Sequence, residues 1–393
     1  MSACPDPPPP GGVSLRVLPP LSLYIHLPWC ARKCPYCDFN SYEAGAVPEE
    51  QYVAALARDL EQAVPLVWGR KVRTVFFGGG TPSLFSARAI NAILGTVRAL
   101  LPLDSHAEIT LEANPGSAEA AKFLGFREAG VNRLSLGVQS FRGDFLQALG
   151  RIHDDREARA AVEMALRHFD NVNLDLMYGL PGQTVEAARE DVRTALAFRP
   201  PHLSAYHLTL EPNTLFYRYP PPLPEDDTCA AMQGAVEEEL AARGYGHYEV
   251  SAFAENGARC RHNLNYWQYG DYLGIGAGAH SKISFPDRIL RQVRQRQPRA
   301  YLEAATKGAP AQEEHEVAPG DLGFEFMMNA LRLTGGFPLA LFEERTGLSR
   351  ATLEEPLAMA QRRGLARMEG ERLAPTDLGR RFLNDLLQLW LPS

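Results

Sequence analysis

Cys30-Ala-Arg-Lys-Cys34-Pro-Tyr-Cys37 places three thiols within eight residues, a density that suits thiolate ligation better than structural bridging. The C-x3-C-x2-C spacing lets one loop reach three corners of a [4Fe–4S] cubane, leaving the fourth iron open to a bidentate small molecule. Zinc is the competing reading, but structural zinc sites want four ligands, and no second pair lies nearby in the sequence. A plain unliganded loop is the third. The full set of six cysteines, Cys4, Cys30, Cys34, Cys37, Cys229 and Cys260, is too sparse and uneven for a disulfide framework. The expected compartment is therefore reducing, and the expected location cytoplasmic.

A loop of this kind needs rigid elements to hold it. From residue 21 onward short β-branched or aromatic runs alternate with amphipathic helical patterns, the order expected of βα units and a parallel sheet. Six runs qualify: Leu21–Pro28, Val72–Gly80, Ala107–Pro115, Arg133–Ser140, Asn171–Pro181 and His202–Thr209. The cysteine loop follows the first, and each run ends in Gly, Pro, Asn or a polar residue, where barrel enzymes build their sites. Six units predict an α/β fold based on a partial (β/α)6 barrel, whose open side another segment or a large ligand must cover.

Other strand-end residues extend the site. Gly78-Gly79-Gly80-Thr81-Pro82 allows close backbone approach to a ligand, although a tight βα turn would use the same glycines. Glu112, Gln139 and Asp175 stand near the ends of the third, fourth and fifth runs. Any one alone reads as a buried polar residue satisfied by its neighbours. Their recurrence on successive strands points to one shared ligand.

The predicted organisation is a disordered Pro-rich tail over 1–20, the barrel over 21–224, an extension over 225–310 and a C-terminal domain over 311–393. Pro220–Pro224 marks the exit from the barrel. The extension carries an aromatic and glycine-rich stretch from His262 to Ser281. The last segment reads as three helices followed by two short strands, a helical, winged-helix-like order. With 393 residues and a formal net charge of −7, the chain offers no general basic field for a phosphate backbone, so nucleic acid is not expected as a partner. No apolar run is long enough to span a membrane, and the first 20 residues lack the basic start and apolar stretch of a secretory signal.

The cysteine spacing, with an aromatic before the last cysteine, resembles the radical-SAM superfamily. Tyr24-Ile-His-Leu-Pro-Trp-Cys30, Cys34-Pro-Tyr-Cys37-Asp-Phe-Asn40, Phe77-Gly-Gly-Gly-Thr-Pro82 and Leu176-Met-Tyr-Gly-Leu-Pro-Gly-Gln-Thr184 are similar to the oxygen-independent coproporphyrinogen oxidase group. Within that group, His262-Asn-Leu-Asn-Tyr-Trp267 matches the HNxxYW motif of the HemW family of haem chaperones. The resemblance runs from about residue 22 to the C-terminus. It implies a radical-SAM barrel, a [4Fe–4S] cluster on Cys30, Cys34 and Cys37, and S-adenosylmethionine on the open iron. It assigns Tyr24, Gly79, Gly80, Thr81, Glu112, Gln139, Arg151 and Asp175 to that cofactor, with Thr209 and His280 as weaker members.

His262 becomes the candidate haem ligand, with Tyr266, Trp267, Tyr269 and Tyr272 as apolar walls, although a histidine among aromatics is more often a packed structural residue. Cys260 is an alternative thiolate. Two departures count against porphyrinogen decarboxylation: the oxidase pattern has a fourth cysteine where Phe39 stands, and only 29 residues precede Cys30 where the oxidase carries a longer arm. The resemblance thus implies a haem chaperone serving membrane-associated respiratory proteins, with the cluster supporting dimerisation and transfer. A radical-SAM oxidase acting on a tetrapyrrole is the alternative, and a cluster-bearing scaffold binding neither haem nor S-adenosylmethionine the third reading.

Overall fold

The computed structural model describes residues 13–255 and 257–391. Its centre is a run of six parallel strands, β1 (Leu21–Leu27), β2 (Val72–Gly79), β3 (Leu103–Ala113), β4 (Arg133–Gln139), β5 (Val172–Tyr178) and β6 (His202–His207), adjacent in chain order. Each lies close to its expected run; only β3 starts markedly earlier. The reason is visible in β1, which is buried at six of its seven positions. A strand covered on both faces is apolar along its length and stands out in the sequence.

Helices Glu49–Ala63, Ala87–Leu100, Asp155–His168 and Val185–Ala197 connect the strands. Three of the four starts are fixed by a local side chain: Ser86 and Thr184 cap with their hydroxyls, and Asp154 forms a reciprocal capping box with Glu157.

The region expected as an extension continues the barrel sheet at both edges. β7 (Gly246–Glu249) and β8 (Ala252–Ala254) add antiparallel beside β6, while β9 (Asp271–Ile275) pairs parallel with β1. β10 (His280–Ser284), β11 (Ile289–Arg294) and β12 (Ala311–Glu316) follow antiparallel, giving twelve strands in the sheet. An open parallel sheet leaves unpaired N–H and C=O groups on both edges, and these strands satisfy them. β12, Ala-Gln-Glu-Glu-His-Glu, is polar along its length, which discourages a further strand from adding. β12 belongs to this sheet, and the first helix of the C-terminal segment follows it at Pro319.

That domain has helices Pro319–Ala330, Ala340–Thr346 and Glu354–Arg362 and a three-stranded sheet of Phe337–Pro338, Arg372–Pro375 and Ala366–Glu369. The winged-helix order expected from the sequence is present. Its separate core, built on Phe326, Phe337, Phe342 and Leu373, also takes in Val13 and Leu15, which are 7% and 6% exposed. The expected disordered tail is therefore corrected for residues 13–20, where two apolar side chains find a core to enter. Residues 1–12 lie outside the described part.

Candidate functional site

The cysteine loop leaves β1 at Pro28 and returns so that Trp29–Cys30 pairs in parallel with Tyr42–Glu43. Between these, the Cys37 amide donates to the Cys34 carbonyl at 3.1 Å. Asn40 anchors the far side: its Nδ2 donates to the carbonyls of Ala277 and Arg296 at 3.0 and 2.9 Å. Below the loop runs the glycine turn. The Gly80 amide donates to Leu27 O and the Thr81 amide to Trp29 O, both at 2.8 Å. A Cβ at Gly80 would lie 2.5 Å from Trp29 O, so the turn requires glycine chiefly to fit under the cysteine loop. Gly79, at φ +115°, also demands it.

Three carboxyl-end features converge above this floor on a cavity of about 350 Å³. Cys30, Cys34 and Cys37 form one wall. Gly79, Gly80, Thr81, Glu112, Gln139, Arg151, Asp175 and Thr209 form the others, so the structure brings eleven of the expected residues together. Tyr24 and His280 lie instead on an adjoining cavity of about 370 Å³ that shares Gly79 and Glu112 with the first. A larger cleft, about 1120 Å³, opens between segments 14–21, 70–73 and 340–349, but it contains none of the strand-end polar set.

Arg151 reaches the cysteine loop. Its Nη1 donates to Cys34 Sγ at 3.6 Å, and its Nη2 donates to Asn114 Oδ1 at 2.7 Å and Gly137 O at 2.8 Å. Asn114 in turn donates to Thr81 Oγ1 at 3.1 Å. It is a site residue that sequence reasoning missed, although Asn114 follows Glu112 by two positions just past the end of β3 and the pair was findable by alternation along the expected run. Gln139 sits in the left-handed region at φ +68°, at an irregularity between β4 and β5, a strained conformation of the kind found where a side chain is re-aimed at a site.

The electrostatics favour a cation. Burial, then the neighbouring Asp175, pushes the Glu112 carboxyl up to about 8, against a donated hydrogen bond from the Gly79 amide. Asp175 is also raised by burial, though Asn173 Nδ2 and Ser135 Oγ donate to it at 2.8 and 3.0 Å. Two carboxyls held away from water would gain from an ammonium or from ribose hydroxyls. Burial raises the Cys30 and Cys37 thiols, with the Thr81 hydroxyl acting against it at Cys30. Metal binding would replace those protons.

The donor set fits a cluster and its nucleoside partner. Among the described residues no three such side chains converge as a single-ion site would require; thiolates serving three different irons of one cubane need not. When bound, the cluster and S-adenosylmethionine would supply one-electron chemistry. The chain's own part would be to hold three irons through Cys30, Cys34 and Cys37, to meet the ligand's ammonium at Glu112, and to place the Arg151 charge beside the sulfurs. Arg151→Met should leave iron content near wild type, lower the midpoint potential, and weaken S-adenosylmethionine roughly tenfold through loss of a charge-assisted bond. Potentiometry and titration of the reconstituted protein would check both, and an unchanged potential would contradict the placement.

His262 is elsewhere. It lies in the helix Arg261–Trp267, whose first turn is held by Glu108 accepting from the amides of Arg261 and His262 at 3.1 and 3.0 Å. The ring is 1% exposed and packs 5.0 Å from Phe76. Thr74 Oγ1 lies 2.8 Å from Nδ1, and Tyr266 Oη lies 2.9 Å from Nε2. Burial lowers its imidazole to about 3. In this structure both His262 nitrogens lie within hydrogen-bond distance of hydroxyl groups, and His262 lines none of the three cavities described above. Cys260 is likewise buried, donating to Glu108 Oε1 at 3.7 Å.

A partial barrel whose first loop presents three such cysteines defines a radical-SAM protein, and residues 24–195 match the family model described as the Radical SAM superfamily. Residues 317–382 match the HemN C-terminal domain. The chain is 49% identical over 380 residues to "Heme chaperone HemW" of Escherichia coli, covering 95% of this chain and 99% of the relative. It is 37% identical over 335 residues to the protein of that name in Bacillus subtilis, covering 84% and 87%. The chain belongs to the HemW family. Among solved structures, coproporphyrinogen III oxidase (HemN) from Escherichia coli superimposes with a TM-score of 0.81 at 23% identity, covering 95% of this chain and 90% of that one. At that identity the likeness is one of fold.

Proposed function

We propose that this chain is a haem chaperone: it holds haem and passes it to acceptor proteins, carrying a [4Fe–4S] cluster on Cys30, Cys34 and Cys37 with S-adenosylmethionine in the adjoining cavity. The observation that carries the reading is the 49% identity to a protein named as a haem chaperone across 99% of that protein's length. The two contiguous cavities support it by offering separate places for cofactor and cargo. Phe39, standing where the oxidase pattern has a cysteine, supports it against the porphyrinogen oxidase reading.

The chain works in the cytoplasm and serves respiratory acceptors at the membrane surface, as a homodimer when the cluster is present. Among the described residues no helix is long and apolar enough to cross a membrane, which suits a carrier that visits a surface. Haem titration of the anaerobically reconstituted protein, with coproporphyrinogen III turnover assayed on the same samples, tests the reading. Stoichiometric haem uptake without turnover is expected. Turnover without haem uptake would make the protein an oxidase.

A further inference from the structure

An iron porphyrin asks three things of a protein: a neutral imidazole with a free nitrogen, flat apolar walls, and cations for two propionates. The cavity beside the cofactor cavity offers the imidazole and the aromatic walls in its own lining, and one uncommitted cation, Arg296, lies close to its His280 rim. Tyr24, Phe39, Tyr266 and Tyr272 line it together with His26 and His280. The aromatic wall is itself braced, since Tyr266 meets Tyr272 edge-on at 4.7 Å and Tyr24 stacks on Phe76 at 6.3 Å.

Three histidines come near this space, and hydrogen bonding separates them. His26 Nε2 donates to the Asn40 carbonyl at 2.8 Å, which leaves Nδ1 to accept from the Tyr24 hydroxyl at 3.1 Å. His262 is spent on Thr74 and Tyr266. The His280 ring alone of the three has no hydrogen-bond partner among the described residues, and it stands exposed on the cavity rim. Its backbone is fixed: His280 opens β10, pairs with Val293, and passes so close to Gly274 that a Cβ there would lie 2.0 Å from its carbonyl.

We propose that haem occupies this aromatic cavity with His280 as the axial ligand to its iron and Arg296 as a partner for a propionate. The assignment rests on the chaperone reading and names the residues that would perform it. Partial desolvation at the cavity mouth, then the charges of Arg296 and Arg291, lower the His280 imidazole and so favour its uncharged form, whose lone pair is available. Arg291 is already engaged, bonding Tyr272 Oη and Glu325 at 2.6 and 2.5 Å. Arg296 is exposed and forms no ion pair among the described residues. His262 becomes a positioning residue, holding Tyr266 upright against the cavity through its Nε2.

The test is haem titration of the full-length, anaerobically reconstituted protein, followed by absorbance and electron paramagnetic resonance, on wild type, His280→Ala, His262→Ala and Arg296→Gln. His280→Ala should raise the dissociation constant at least tenfold and lose the axial-imidazole signature, and added imidazole should restore that signature. Arg296→Gln should weaken binding a few-fold with the signature intact. His262→Ala should keep the signature in whatever fraction folds. His280 is at the surface, so its variant reports even if His262→Ala does not fold. Haem bound by His280→Ala with wild-type affinity and spectrum would overturn the assignment while leaving the chaperone reading standing. A wild type that takes up no haem would overturn the chaperone reading and the site with it.

Discussion

Gly80→Ala should strip the protein of its cluster while leaving most of its fold. The added carbon would sit 2.5, 2.7 and 2.8 Å from the O, C and N of Trp29, all backbone atoms that cannot swing away as a side-chain tip could. Relief requires lifting Trp29, and Cys30 is the next residue. Overpacking of this kind costs about 1–3 kcal/mol, which a large parallel sheet can absorb. The geometry of three sulfurs around one cubane is less forgiving. Iron and acid-labile sulfide per chain after reconstitution should fall to less than half of wild type, while far-ultraviolet circular dichroism stays close to unchanged. A Gly80→Ala protein with full iron content would show that the turn does not support the loop.

The second large effect is a pH dependence at Glu112. In the unfolded chain this carboxyl titrates near 4.5, whereas in the folded protein burial and Asp175 hold it up to about 8. A raised carboxyl stabilises the fold fully below pH 4.5, and that contribution is lost as the pH climbs through 8, because the unfolded chain gives up its proton first. Each unit is worth about 1.4 kcal/mol, so the loss is roughly 5 kcal/mol at most. Glu112→Gln removes the titration and keeps an oxygen to accept from the Gly79 amide. Thermal unfolding without S-adenosylmethionine should therefore find the variant close to wild type at pH 4 and clearly more stable at pH 9. The same variant, lacking a negative charge for the ammonium, should bind S-adenosylmethionine at least tenfold more weakly. Parallel pH profiles for the two proteins would remove Glu112 from the interior it is assigned here.

What could be read from the residues alone follows the range of the interactions involved. The six strands were legible because burial on both faces leaves a near-continuous apolar signature, and the cysteine loop because its chemistry sits within eight residues. Glu112, Gln139 and Asp175 were legible as a set because a parallel sheet aligns strand ends. Long-range contacts were not. Nothing local distinguishes a histidine that faces a cavity from one that packs on Thr74 and Phe76, nearly two hundred residues earlier, and that is what decides His262. The division of Tyr24 and His280 from the other cofactor residues depends on β9 and β10 adding beside β1, a pairing invisible to periodicity. Val13 and Leu15 were hidden by a Pro-rich neighbourhood whose composition says disorder, although a distant core accepts both.

The tether at Asn40 carries an implication for how the protein is made. Its side chain grips carbonyls at Ala277 and Arg296, and β1 gains its second neighbour only at Asp271–Ile275. The ribosome supplies the cysteines among the first forty residues, but the partners that fix their loop emerge some two hundred and forty residues later. Domains begin folding from the N-terminus during synthesis, yet contacts of this sequence separation are among the last to close. The nascent chain thus exposes three thiols for most of its translation without the scaffold to arrange them. A chain truncated before residue 271 would keep the whole cysteine motif but lose both carbonyl partners of Asn40 and the second neighbour of β1, and it should retain less iron after reconstitution than the full chain.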